Sequence, residues 1–389
     1  MLPPEALFLL DLLATFVPYV IVTLSLNLEY GFGGVPNFGK TLAVAGGAFM
    51  VGLLPGRLLA AFLGVGEGMD YVAQNAFIIT AINSRLSSDV ALSLGTLLIT
   101  LVAVVLFGAF LGLVMSAPVA RLRMDYLGMT FLAVGEVLLV IGNNFPPLVG
   151  GTLGIATPDP FGWASNFSIF GLSGGEMRNL TVTAFMLLMA LVVFLYAQRL
   201  THSPLGRVLR AIRDDENSAL ALGKDARSYR IKVIIFSAAI AAIGGALYAF
   251  YTANVVATAY SRVSWTFWPW VMVILGGAAN NLGVVVGTFV FVTVRKLIVF
   301  YKDIFAPFLP FDVVWLDLIL LGLALIIILI YKPGGIIPEK PIETIRVEPA
   351  PGTVGQAEKA AGEADGKVNG TAKGKPRGIW GRLRSQRPA

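Results

Sequence analysis

The sequence predicts an all-α, polytopic bundle of transmembrane helices, about eight to ten in number with some broken or re-entrant, and three observations carry that prediction. Of the 389 residues, 56% are hydrophobic and 13% charged, and mean hydropathy is +0.78. A soluble domain of this length has no use for so much apolar surface. The 43 glycines suit helices packed in lipid, which tolerate glycine better than soluble ones do. Apolar runs near span length also recur along the chain, separated by short polar or glycine-rich breaks.

The first run, 7–26, is about long enough to cross the hydrocarbon core. No basic stretch precedes it, so it does not read as a cleavable signal, and Pro18 is expected to kink it. Further runs occupy 41–54, 90–116, 127–141, 180–197, 231–252, 268–275, 282–294 and 314–331. Several fall short of the ~20 residues that a straight span requires. The glycine-interrupted pieces 31–47 and 276–287 therefore read as broken or re-entrant helices lining a polar path. Trp265, Phe267, Trp268 and Trp270 read as an aromatic belt at the outer interface. Small residues such as Gly244, Gly245, Gly283 and Gly287 would let helices approach closely. From Pro338 the composition turns to Pro, Gly, Ala, Lys and Glu without periodicity, which makes 338–389 a disordered cytoplasmic tail behind a transmembrane domain over 1–337.

Basic residues set the expected orientation. Arg121 and Arg123, the stretch 199–232, and the chain from Lys332 onward should be cytoplasmic, which puts 143–179 and the N-terminus outside. Arg295 and Lys296 break the pattern. The formal net charge of +6 follows from the cytoplasmic loops, so nucleic acid is not expected as a partner. There is no cysteine and one histidine, His202, which leaves no disulfide, thiolate cluster or metal site to build. No zinc-protease motif, serine–histidine pair or paired-aspartate site is present, so neither a catalytic residue nor a cofactor is expected.

The stretch Gly34 to Thr41, GVPNFGKT, satisfies the phosphate-loop pattern. Its flanks are apolar on every side and nothing in the chain resembles a soluble parallel sheet, so it is not expected to bind ATP. Its glycines, Gly34 and Gly39 among them, make a sharp break that lets Asn27, Asn37 and Phe38 approach a solute path. Lys40 would be an interfacial cation or a partner for Glu29, worth little if exposed.

From Ser203 to Lys232 the chain turns abruptly charged: SPLGRVLRAIRDDENSALALGKDARSYRIK. Arg207, Arg210 and Arg213 recur at i, i+3, i+6 and Asp214, Asp215 and Glu216 follow, while Val208, Leu209 and Ile212 remain to pack. That spacing predicts a short amphipathic helix lying along the cytoplasmic end of the bundle. An ordinary loop obeying the positive-inside rule would account for its composition alone.

This island, continuing into FSAAIAAIGGALYAFY, resembles the cytoplasmic loop and following helix of permease subunits of ABC importers for branched-chain amino acids. Glu216 followed by SALALG resembles the Glu-Ala-Ala…Gly segment that such permeases insert into their ATPase, with Asn217 and Ser218 where alanines are usual. The resemblance extends from about Asn27 to Pro338, through NLEYGFGGVPNFGKTLAVAGGAFMVGLL, APVARLRMDYLGMTFLAVGEVLLVIGNNFPPLVGGTLGI, VMVILGGAANNLGVVVGTF and YKPGGIIPE. It implies a multi-pass permease of the plasma membrane that moves a small solute inward. The implied partners are a second, related permease subunit, two ATPase subunits that carry out the hydrolysis, and an extracytoplasmic solute-binding protein. It also implies that a loop over 198–230 couples to the ATPase through Arg207, Arg210, Arg213, Asp214, Asp215, Glu216 and Gly223. Asn280 and Asn281, in place of the usual Gly-Ser, fall beside the implied pathway. Leucine-like solutes, urea and other small amides all remain open.

The competing reading is an ion-coupled secondary transporter, which would couple through intramembrane ionisable residues. Asp11, Glu136 and Asp317 are its candidates. Glu136, within FLAVGEVLLV, is expected to face the bundle interior in a pathway, gating or structural role, because a carboxylate against lipid is costly.

Overall fold

The computed structural model describes residues 4–122, 124–168 and 174–301, together with 319, 322, 323, 326, 327, 330–332 and 334–339. Among the described residues, the α-helical elements run in the order α1 (Pro4–Leu26), α2 (Lys40–Leu63), α3 (Asn75–Ser88), α4 (Val90–Ser116), α5 (Met124–Asn144), α6 (Pro146–Val149), α7 (Gly175–His202), α8 (Pro204–Asp214), α9 (Glu216–Ala221), α10 (Ala226–Thr252), α11 (Trp268–Gly276) and α12 (Asn281–Phe300). Among the described residues, seven helices are long and apolar enough to cross a membrane. Most of the run at 314–331, Asp317 and the chain from Lys340 onward lie outside the described residues.

The spans at the centre are α1, α2 and α10. In α2 and α10, 72% of the most apolar window is buried within the chain, against 33% for α4, α5 and α7. Two-sided burial explains why α2 is apolar on every side, as a central helix must be. Glycine permits the close approach. A methyl group on Gly245 of α10 would meet the Val44 carbonyl of α2, and one on Gly47 of α2 would meet the Ala242 carbonyl of α10. Gly244 presses on Pro18 and Val22 of α1, while Gly283 and Gly287 press on Gly276. The close packing expected of these four glycines is therefore present.

Two expectations about span length change. The run at 41–54 is part of a 24-residue helix, α2, and that at 282–294 part of a 20-residue helix, α12. Each helix continues past its apolar stretch; in α2 the polar head of Arg57 donates to the carbonyls of Leu53 and Pro147 at 3.0 and 2.5 Å. The break after α1 is consequently confined to 33–39, entered by a π-helical extension at Asn27–Phe32. The second break occupies 277–280, where Gly277 and Ala279 take φ of 108° and 63°.

The aromatic belt is not a belt. Trp265, Trp268 and Trp270 are 2%, 8% and 9% exposed, and only Phe267 of the group is open. Trp265 stacks on Tyr19 of α1 at 4.9 Å, so these rings pack inside the bundle. The charges that broke the orientation pattern are likewise accounted for internally. Lys296 donates to Asp11 at 2.6 Å, and Arg295 lies 3.6 Å from the centroid of the Trp268 ring.

Opposite the charged loop, α3 and a two-residue antiparallel pairing of β1 (Ile155–Ala156) with β2 (Asn254–Val255) cover the ends of the spans. Asn75 exchanges two hydrogen bonds with the backbone of Ala156 and pins α3 to this pairing.

Candidate functional site

The turn GVPNFGKT, the end of α1, the end of α7, the middle of α10 and the starts of α11 and α12 converge on one buried polar cluster. Lys40, first residue of α2, is 1% exposed, and its Nζ lies 3.1 Å from Glu29 Oε2 and 2.5 Å from Ser237 Oγ of α10. Ser237 passes the contact on, donating to the Ser25 carbonyl at 2.5 Å. Of the two places foreseen for Lys40, the partner of Glu29 is correct and the interfacial cation is not. Burial changes its weight as well, since a buried ion pair cannot be dismissed as a surface one can.

Asn37 closes the turn around the pair. Its Nδ2 donates to Glu29 Oε2 at 2.9 Å, its Oδ1 accepts from the Gly39 amide at 2.8 Å, and its carbonyl accepts from Trp270 Nε1 at 2.9 Å. Phe38 stacks on Trp270 at 4.7 Å. Gly39 is required because a side chain there would strike the Phe131 carbonyl of α5. Gly34 takes φ 67° directly against Arg213 of α8, so this glycine faces the charged loop.

A second group of amides ties the first break to the other one. Asn27 Nδ2 donates to Asn281 Oδ1 at 2.9 Å, and Asn27 Oδ1 accepts from the Ala279 amide at 2.8 Å. Asn281 Nδ2 in turn reaches Gln198 Oε1 at 2.9 Å and Thr201 Oγ1 at 3.2 Å on α7. Asn280 caps α12 by accepting from the Gly283 amide at 3.1 Å and donates to the Pro338 carbonyl at 3.1 Å. Glu136 stands apart from this cluster, half-buried on α5. Among the described residues, the fully buried intramembrane carboxylate is Glu29, which sequence reasoning mentioned only as a partner for Lys40.

The charged loop folds as foreseen into an amphipathic helix, α8, with Leu209 and Ile212 buried beneath it. Its arginines divide. Arg207 is exposed, whereas Arg210 and Arg213 turn back onto the chain. Arg213 donates to the Gly31 carbonyl at 2.5 Å and pairs with Glu339 at 3.0 Å; Arg210 lies 4.9 Å over Phe32 and 3.5 Å from Glu339. Asp214 pairs with Arg213 at 3.0 Å. Glu216 is held in a two-pronged pair by Arg230 of α10, at 3.0 and 2.8 Å.

Asp215 caps α9, accepting from the Ser218 hydroxyl at 2.6 Å and from the amides of Asn217 and Ser218. Those bonds, the Ser218 hydroxyl first, hold its carboxyl below the ordinary aspartate value. Gly223 ends the turn at φ 74°, a left-handed conformation that glycine adopts without strain. Leu220 and Leu222 are 49% and 78% exposed beside these charges. Sequence reasoning passed over that pair.

Residues 8–329 match a family described as the permease component of branched-chain amino acid transport systems. The chain belongs to this family. It is 41% identical over 335 residues, 86% of this chain and 94% of the relative, to the probable branched-chain amino acid transport permease protein LivM of Methanocaldococcus jannaschii. It is 26% identical to the high-affinity branched-chain amino acid transport system permease protein LivM of Escherichia coli, over 60% of this chain and 55% of that one. The corresponding Salmonella typhimurium protein is 25% identical over the same shares. No solved structure matches the chain. As a permease component with seven candidate spans, it is a multi-pass protein of the plasma membrane and a transport subunit. Of the ionisable groups named for the competing reading, Asp11 is paired with Lys296, Glu136 is half-buried on α5, and Asp317 lies outside the described residues.

Proposed function

We propose that this permease is the membrane-spanning subunit of an ATP-driven importer of branched-chain amino acids. It works with a second, related permease subunit, two ATPase subunits that hydrolyse the nucleotide, and an extracytoplasmic solute-binding protein. The observation that carries this reading is the junction between α8 and the first break. The Arg213 guanidinium holds the Gly31 carbonyl, one turn from Asn27 and two residues from Glu29. A push on α8–α9 would therefore reach the buried amides and ion pair directly.

In this reading the loop over 198–230 is the coupling element. Arg207, Leu220 and Leu222 form the surface offered to the ATPase, while Asp215, Glu216 and Gly223 fix its shape. Arg210, Arg213 and Asp214 transmit the displacement inward. Asn27, Gly34, Asn37, Phe38, Gly39, Asn280 and Asn281 form the moving parts beside the solute path, and Glu136 lines that path from α5. Two packings of similar energy are needed for alternating access, and glycine-mediated contacts between α2, α10 and α1 permit them.

The test is Arg210→Glu combined with Arg213→Glu in the reconstituted importer. ATP hydrolysis should persist while leucine uptake per ATP falls at least about tenfold, roughly 1.4 kcal/mol of lost coupling, and membrane insertion is unaffected. Arg207→Glu, which disturbs no internal contact, should instead weaken ATPase retention. Unchanged uptake per ATP in the double variant refutes the coupling role.

A further inference from the structure

A second connection reaches α8 from the other break. The last carbonyls of a helix need partners from outside it, and two of those in α11 find them in the segment 334–339. The Ile336 amide donates to the Leu275 carbonyl at 2.9 Å and the Ile337 amide to the Gly276 carbonyl at 3.0 Å. Glycine lets the two backbones meet, since a methyl group on Gly335 would strike the Gly277 amide nitrogen and one on Gly277 the Ile337 carbonyl. Asn280 adds its donation to the Pro338 carbonyl at 3.1 Å. Non-helical backbone between spans is tolerated in a bilayer only where protein covers it, and 334–339 covers the second break.

The next residue turns to α8. Glu339 sets Oε2 3.0 Å from Arg213 and Oε1 3.5 Å from Arg210. Consecutive α-carbons stand about 3.8 Å apart, so a single residue step separates the last contact with the break from the residue that holds α8. No slack is available between them. On its other side Arg213 holds the Gly31 carbonyl, and a methyl group on Gly31 would meet both Asn27 and the Ala279 amide. Asn27 accepts from that same amide at 2.8 Å. The contacts therefore close a ring that runs from the first break through α8 and 334–339 to the second break and back.

We propose that Glu339 is a positioning residue for transport: through the strap 334–339 it binds α8 to the second break, so that α8 and both breaks move as one unit. Arg213 alone hands a displacement of α8 to the first break, and the second would follow only through the Asn27 amide group. With Glu339 in place both breaks take the displacement together. A mere cap on α11 accounts for the Ile336 and Ile337 amides and gives the carboxylate between two arginines nothing to do. The proposal rests on the import reading above, and it adds a residue that composition assigned to the tail.

Amide hydrogen exchange is measured on the full-length permease in lipid nanodiscs, without ATPase or solute. Glu339→Gln keeps the shape of the side chain and removes its charge. It should accelerate exchange at least about fivefold in two places. One is the strap, at Ile336 and Ile337; the other is the first break, at Gly34 and Val35, which donate to the Tyr30 and Glu29 carbonyls. Exchange in α3, at the opposite end of the spans, should stay within about twofold of the wild type. Arg210→Glu combined with Glu339→Arg exchanges the two charges and should restore protection to within about twofold, which neither change does alone. In the assembled importer Glu339→Gln should lower leucine uptake per ATP at least about threefold.

Unchanged exchange at either place overturns the proposal, and so does equal acceleration in α3, which would mark a general loosening. Failure of the exchanged pair to restore protection overturns it too. Accelerated exchange with unchanged uptake per ATP does the same, because Glu339 would then be a structural contact only. Uncoupling by Arg210→Glu with Arg213→Glu, together with no effect of Glu339→Gln, refutes this linkage and spares the import reading. Absence of ATP-driven leucine uptake by the wild-type assembly refutes the import reading alone, since exchange is read on the permease by itself.

Discussion

Replacing Lys40 by methionine removes the cation of the buried pair while keeping most of the side-chain volume. At the 3.1 Å separation observed, an effective dielectric of about 20 gives roughly 5 kcal/mol of attraction. Both charges lost their hydration on folding, so the pair as a whole stabilises the fold by much less than that. The single variant, however, forfeits the attraction and leaves Glu29 without its counter-ion in a fully buried site, with the Asn37 amide still donating to it. The expected loss is about 3–5 kcal/mol. Glu29→Gln added to Lys40→Met removes both charges and keeps an acceptor for Asn37, so most of that loss should return. Reversible unfolding of the full chain in mild detergent, titrated with dodecyl sulfate and followed by tryptophan fluorescence, reads both values. The reasoning is wrong if Lys40→Met unfolds within about 1 kcal/mol of the wild type, or if the two substitutions simply add.

Two further outcomes follow from local geometry. Gly47→Ala should destabilise by about 1–3 kcal/mol through collision with α10. Gly95→Ala in α4, where an added methyl meets nothing within 4 Å, should stabilise by about 0.5–1 kcal/mol; equal melting temperatures would contradict both. For Asp215 the folded value lies below the ordinary 3.8. Its contribution to α9 is therefore complete above that pH and is lost as pH falls through the folded value. Amide exchange at 216–221 should accelerate on acidification below about pH 4 in the wild type and not in Asp215→Asn, which keeps the cap without the titration. Identical acid dependence in the two would exclude this origin.

The fold class was legible because lipid-facing composition leaves a mark on every span. The ends of α4 were read to the residue, since 90–116 is apolar throughout. The ends of α2 and α12 were not, because these helices continue beyond the apolar stretch that marked them. The tryptophans misled for a related reason: an indole in a buried core and one at a membrane interface look alike in sequence, and only the partners Tyr19, Tyr260 and Asn37 separate the cases. At the candidate site, the glycine turn, Asn27, Asn37 and Asn281 could be named because polar residues beside glycine breaks are costly in lipid. Their pairing could not, since Asn27 and Asn281 are separated by 254 residues. The inward turn of Arg210 and Arg213 was hidden for the same reason, because their partner Glu339 lies far downstream.

That carboxylate bears on how the molecule is shortened for study. Composition changes at Pro338, and a deletion of the polar tail drawn there would remove Glu339 with it. The compact unit runs on to Lys340, and Glu339 sits against both inward-facing arginines of α8. A chain ending at 337 would carry two arginines stripped of their shared counter-charge, and Asn280 would lose the Pro338 carbonyl that it holds. Activity lost in such a truncation would be misassigned to the tail, when the damage was done to the loop. A stop codon placed after residue 340 keeps the clasp and makes the comparison fair.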